Sequence, residues 1–135
     1  MHRETVEIRS AGRGFQDVTE QISGVIDRSN IRDGLCHVFI QHTSAGLLIA
    51  ENADPDVLVD LETWMSAAVK DGDPRFRHRA EGPDDMSAHI RTLLTETALT
   101  IPVQAGRLAL GTWQGIFVWE HRTHPHSRRL MVSVT

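Results

Sequence analysis

The chain has 135 residues, 40% of them hydrophobic and 24% charged, enough for one domain with a real core. Its formal charge of −4 argues against a general nucleic-acid binder. No apolar run reaches the roughly 20 residues of a membrane span. The start is polar with no apolar signal core, and the one cysteine, Cys36, excludes an internal disulfide. These features lead us to expect a cytoplasmic protein with no membrane or nucleic-acid partner.

Residues 2–9 alternate, with Val6 and Ile8 opposite Thr5, Glu7 and Arg9, which predicts a half-buried strand. The Gly12-Arg13-Gly14 step reads as a turn. Val18, Ile22, Val25 and Ile26 recur at helical spacing, with Asp17 as N-cap and an end near Ser29-Asn30. Leu35 to Gln41 is nearly all apolar and predicts a well-buried strand. It delivers His42-Thr43-Ser44, with His42 in phase with Cys36, Val38 and Ile40. A second strand covers Leu47 to Ala50. Asp54-Pro55 marks a helix start, and Val57, Leu61, Trp64, Met65 and Ala68 give that helix one apolar face.

Residues 78–90 hold two histidines and three carboxylates around Gly82-Pro83. Asp84 and Asp85 are candidate caps of a third helix, with Met86, His89, Ile90, Leu93, Leu94 and Thr97 on its inner face. A short strand follows at Leu99–Val103, its proline favouring an edge. Three strands at 107–113, 116–121 and 128–134 then suggest an antiparallel meander. With no repeat or linker, the expectation is a single α+β domain, its helices packed on a largely antiparallel β-sheet or sandwich.

Four groups are candidates for chemistry. His42, His78 and His89 suit a divalent transition metal such as zinc if the fold joins them; the competing reading is three hydrogen-bonded structural histidines. Glu51, Asp54, Asp56, Asp60, Glu81, Asp84 and Asp85 offer carboxylates for magnesium or a general base, or else caps and a solvated helix face. In Gly111-Thr112-Trp113-Gln114-Gly115, Trp113 can stack on a ring while Gln114 reads its edge, or the segment is a tight hairpin. His121, His124 and His126 crowd one loop, where water competes for any metal. Cys36, within an apolar run, reads as a buried inert thiol.

Together these segments resemble the YjbQ-like family, also called secondary thiamine-phosphate synthases. The resemblance rests on His42-Thr43-Ser44-Ala45, Glu51 through Val57, Glu81 through Ile90, Gly106-Arg107-Leu108, Leu110 through Ile116, Glu120-His121-Arg122 and Ser127-Arg128. The family usually has proline where this chain has Ser87, and the loop 123–126 departs from its pattern. The resemblance implies a homotrimer with a pocket near a subunit boundary, lined by His42, His78, His89, Glu51, Asn52, Asp60 and Glu81. The implied activity joins a pyrimidine diphosphate to a thiazole phosphate and releases pyrophosphate. In that scheme His42, Glu51, Asp60 and Glu81 serve catalysis. Thr43, Ser44, Asn52, Trp113, Gln114 and Arg128 bind substrate, and His42, His78 and His89 hold the metal, zinc or magnesium. The alternatives are a metal-dependent hydrolase of a small phosphorylated metabolite and a non-catalytic metabolite-binding trimer. A (β/α)8 barrel, which takes about 250 residues, is beyond this chain's length.

Overall fold

The computed structural model describes residues 1–135 and contains eight strands and three helices. In order they are β1 (His2–Arg9), β2 (Gly14–Asp17), α1 (Thr19–Ser29), β3 (Gly34–Ile40), β4 (Ala45–Glu51), α2 (Pro55–Ala68), α3 (Asp85–Leu94), β5 (Ala98–Gln104), β6 (Arg107–Leu108), β7 (Gln114–Glu120) and β8 (Ser127–Val134). They form two sheets, ordered β1-β8-β3-β5-β6 and β2-β7-β4, with every pairing antiparallel. The fold is thus α+β, as expected.

The C-terminal strands do not form a meander. β6 is two residues long and pairs with β5, β7 lies between β2 and β4, and β8 lies between β1 and β3. Apart from the β5–β6 pair, successive strands therefore alternate between sheets, and the core fills the space shared by both. Val38, Ile40, Leu130 and Val132 come from the first sheet, Leu47, Ile116 and Val118 from the second, and Ile22, Val25 and Ile26 from α1. No helix is long and apolar enough to cross a membrane.

β3 corrects a second expectation. Cys36, Val38 and Ile40 are buried, whereas Leu35, His37 and Phe39 on the other face are exposed. An antiparallel sheet covered on one side buries alternate residues, however apolar the run. Burial pushes the Cys36 thiol up to about 11, so it is inert at neutral pH.

The helix starts follow local chemistry, with one shift. The Asp54 side chain accepts the Asp56 N–H at 2.9 Å, with Pro55 opening α2. Val18, not Asp17, occupies the N-cap position of α1, although Asp17 still accepts the Thr19 N–H at 2.9 Å. α1 ends at Asn30 in the left-handed region, φ 57°.

α3 is turned relative to its sequence pattern and ends at Leu94. Its buried residues are Asp85, Ser87, Ala88, Arg91 and Thr92, while Leu93 is 84% and Leu94 58% exposed. The inward polar side chains find partners, Arg91 Nε excepted: Arg91 donates to Glu62 at 3.0 Å and to Ser66 at 3.1 Å, and Ser87 donates to Asp71. Glu62 also accepts the Trp119 indole N–H at 3.2 Å, so α2, α3 and β7 meet through one carboxylate. α2 packs on that sheet through Met65 and Val69 against Trp119, and leaves Trp64 and Val59 exposed.

Candidate metal centre

The loop between α2 and α3 and the first two turns of α3 bring three ligand atoms together. His78 Nε2 lies 2.7 Å and His89 Nε2 3.0 Å from the same oxygen, Asp85 Oδ2. The potential ligand atoms of these three side chains all fall within 4.8 Å of one another. Asp85 and His89 are four residues apart on one helix, so they share its face. His78 arrives from a loop closed by the Gly72 N–H on Pro83 O at 2.9 Å. At Gly82 the chain turns with φ +102°, a conformation that favours glycine, and enters the helix three residues later.

Both ends of the set are anchored. The outer ring nitrogen of His89, Nδ1, faces the main-chain oxygen of Thr43 at 3.0 Å. With Nδ1 donating to Thr43, Nε2 is the nitrogen that faces Asp85 and would be offered to an ion, the arrangement common to metal-ligating histidines. Arg122 holds the other Asp85 oxygen, Oδ1, at 2.9 Å. Burial pushes the Asp85 carboxyl up, but the His78 hydrogen bond and the charges of His89 and Arg122 outweigh it, and the net direction is down. Asp85 is buried, while the His78 and His89 side chains are 40% and 33% exposed. Two imidazoles and one ionised carboxylate, with a solvent-facing side, fit a divalent ion such as zinc.

Asp84 and Asp85 are therefore not helix caps. Asp84 occupies the N-cap position without a capping hydrogen bond. It accepts instead from Arg122 Nε at 3.0 Å and from the Thr123 N–H at 2.9 Å, contacts that outweigh its burial and hold its carboxyl low.

His42 is not part of this cluster. Its Nε2 accepts the Arg129 main-chain N–H at 2.7 Å, so the ring is fixed against the start of β8. Burial, then the charges of Arg128 and Arg129, push its pKa down. β3 ends at Ile40, two residues before His42, so the ring lies beyond the strand and turns to β8. It is Asp85, not His42, that lies beside His78 and His89.

The other predicted residues divide by position. Thr43 meets His89 through its main-chain oxygen. Ser44 accepts Arg128 Nη2 at 3.0 Å, and Arg128 is buried in a bidentate pair with Glu120, so its charge is already matched. Glu51 accepts the Ala53 and Asp54 N–H groups at 2.9 and 2.7 Å and staples a turn. Asn52 donates to Gln114 O at 3.3 Å, and Gln114 closes its hairpin on the Gly111 N–H at 2.7 Å. Trp113 is exposed beside them. This group sits at the far end of β4. Six residues of strand at about 3.3 Å each place Glu51 roughly 20 Å from Ala45. Asp60 lies exposed on α2, and Glu81 is exposed, with its main-chain oxygen accepting Arg122 Nη2 at 3.0 Å. Within the chain, then, His78 and His89 converge, and of the other residues predicted to serve catalysis, substrate or metal only Thr43 meets them, through its main-chain oxygen. Arg122 was not anticipated. The one local signal for Asp85 as a ligand was its four-residue spacing to His89.

These features define a class: a two-sheet α+β domain with a two-histidine, one-carboxylate centre at a helix start. Residues 4–135 match the model of the UPF0047 protein YjbQ-like family, and the chain belongs to that family. It is 48% identical over 134 residues to a UPF0047 protein of Synechocystis, covering 99% of this chain and 91% of that one. It is 40% identical to the UPF0047 protein YjbQ of Escherichia coli O157:H7, covering 98% and 96%. Among solved structures it is similar to a YjbQ/UPF0047 family protein of Clostridium acetobutylicum, with TM-score 0.89, 32% identity and coverage of 98% and 99%.

Proposed function

We propose that the protein is a metal-dependent enzyme acting on a small phosphorylated metabolite, with its centre at His78, Asp85 and His89. The observation that carries this reading is the convergence of the three ligand atoms, with His89 oriented by Thr43 and Asp85 by Arg122. A divalent ion there supplies a Lewis acid suited to neutralising a phosphate leaving group. The residues themselves set the rest. Arg122 fixes which carboxylate oxygen faces the centre, and Thr43 fixes which imidazole nitrogen does.

Family membership favours the transfer reaction: a pyrimidine diphosphate is joined to a thiazole phosphate, and pyrophosphate leaves. Purified protein supplied with both heterocycles and zinc or magnesium then forms thiamine phosphate and pyrophosphate, and His89→Ala loses both. No product above the His89→Ala control removes this reading. A second reading, metal-dependent hydrolysis, is supported by the solvent exposure of both imidazoles, which gives water access. Phosphate release from a metabolite panel without the acceptor selects it. Thermal stabilisation by those ligands without turnover selects a binding protein instead.

In this proposal the protein works in the cytoplasm as a homotrimer. A buried free thiol suits a reducing compartment. Trp64, Leu93 and Leu94 on the helices, and Leu35 and Phe39 on β3, supply exposed apolar area for subunit contacts.

A further inference from the structure

A cavity of about 370 Å³ opens beside the centre and has His78 in its wall. Arg79, the next residue, also lines it, and its guanidinium is held in an unusual way. Nε donates to Phe76 O at 2.8 Å and Nη2 donates to Pro74 O at 2.7 Å. Both acceptors are neutral main-chain carbonyls, so they orient the group without cancelling its charge. Of the five N–H bonds of an arginine, three are left unspent.

Two of the carboxylates near the cavity are already matched. Asp73, in the same wall, is bidentate to Arg75, with contacts at 2.6 to 3.2 Å. Asp85 is held by Arg122 at 2.9 Å. Arg79 has no ion-pair partner. A guanidinium oriented by main-chain carbonyls and outside any ion pair suits a planar or tetrahedral oxyanion. The carbon surfaces of Phe76, Pro83 and Met86 complete the wall. The volume falls in the range of small-metabolite sites.

We propose that Arg79 is the anion subsite of this cavity: it receives a phosphate or pyrophosphate group of a substrate whose less polar body lies against Phe76, Pro83 and Met86. The inference rests on the reading of the His78–Asp85–His89 centre and names the group that grips substrate beside it.

Calorimetric titration with inorganic pyrophosphate, with and without bound zinc, tests it in the wild type and in Arg79→Gln. Loss of one charge-assisted contact should weaken pyrophosphate about tenfold or more, with zinc affinity unchanged. Equal pyrophosphate affinity in the two proteins overturns the subsite and leaves the metal reading intact. Failure of the wild type to bind zinc removes the metal reading, while the zinc-free comparison still decides Arg79. Should Arg79→Gln disturb the loop, phenylglyoxal labelling of the wild type decides instead. Pyrophosphate should protect Arg79 and leave Arg77 reactive, and absence of protection at Arg79 overturns the proposal.

Discussion

His89 Nδ1 and the main-chain oxygen of Thr43 lie 3.0 Å apart, across 46 residues of sequence. The contact joins the start of α3 to the turn between the two sheets, so the ring is set by the fold as a whole. Such outer contacts orient ligand imidazoles. A site assembled in this way needs its supporting residues as well as its ligands.

Zinc binding is the direct test. His78→Ala, Asp85→Asn and His89→Ala should each abolish stoichiometric zinc in equilibrium dialysis. Arg122→Gln removes no ligand but frees Asp85 Oδ1, and should weaken zinc about 10- to 100-fold. Imidazole ligands bind only when unprotonated, so affinity should fall as pH is lowered. Wild-type affinity in Arg122→Gln would show that the pair does not position the carboxylate.

Gly46 of β4 meets Thr95, just past the end of α3. A Cβ there would lie 1.8 Å from Thr95 Oγ1 and 2.7 Å from Thr95 Cβ. Gly46→Ala should therefore cost about 1–3 kcal/mol by overpacking, read by urea denaturation. Gly46→Ala combined with Thr95→Gly removes both contacts and should recover part of the loss. An unchanged midpoint in the single variant would show that α3 shifts freely on β4.

What the sequence revealed and concealed follows from the range of the interactions. The helix start at Asp54-Pro55 and the alternation of β1 depend on neighbours and were legible. The inner face of α3 was not, because Leu93 and Leu94 carry the apolar period while Arg91 is drawn inward by Glu62 and Ser66 of α2. Asp84 looked like a cap because its partner, Arg122, lies 38 residues later. His42 was correctly placed at the end of a core-facing row, but where its ring points depends on Arg129, on a strand 87 residues further along. The sequence grouped His78 with His89, and the approach of Asp85 to both was not legible in it.

Arg128 separates a structural role from substrate binding. Its side chain is 5% exposed and that of Glu120 2%, and the two are paired. Arg128→Met leaves Glu120 buried without its cation, which should cost about 3–5 kcal/mol. The loss should appear in the folded protein without ligand. A variant that folds with wild-type stability and fails only in substrate affinity would return Arg128 to the binding residues.

His121 sets the response to acid. The ring is fully buried, neither nitrogen has a hydrogen-bond partner, and it lies 5.3 Å from the Trp119 ring. Burial, followed by the charge of Arg91, pushes its pKa from 6.5 down to about 3. The unfolded chain therefore takes up a proton near pH 6.5 that the folded chain refuses until about pH 3. Stability from this group is complete above pH 6.5 and declines as pH falls through that window, by up to about 1.4 kcal/mol per unit. The depressed carboxylates Glu62, Asp71, Asp84 and Asp85 act lower, as pH falls below their ordinary values of 3.8 to 4.5. Between pH 6.5 and 4.5 the slope thus belongs chiefly to His121, with a contribution of the same sign from His42. His121→Leu should flatten the slope in urea unfolding at pH 7, 6 and 5. It should cost little at pH 7, since it removes two unpaired polar atoms along with the ring. If the variant kept the wild-type slope, the acid response would lie elsewhere.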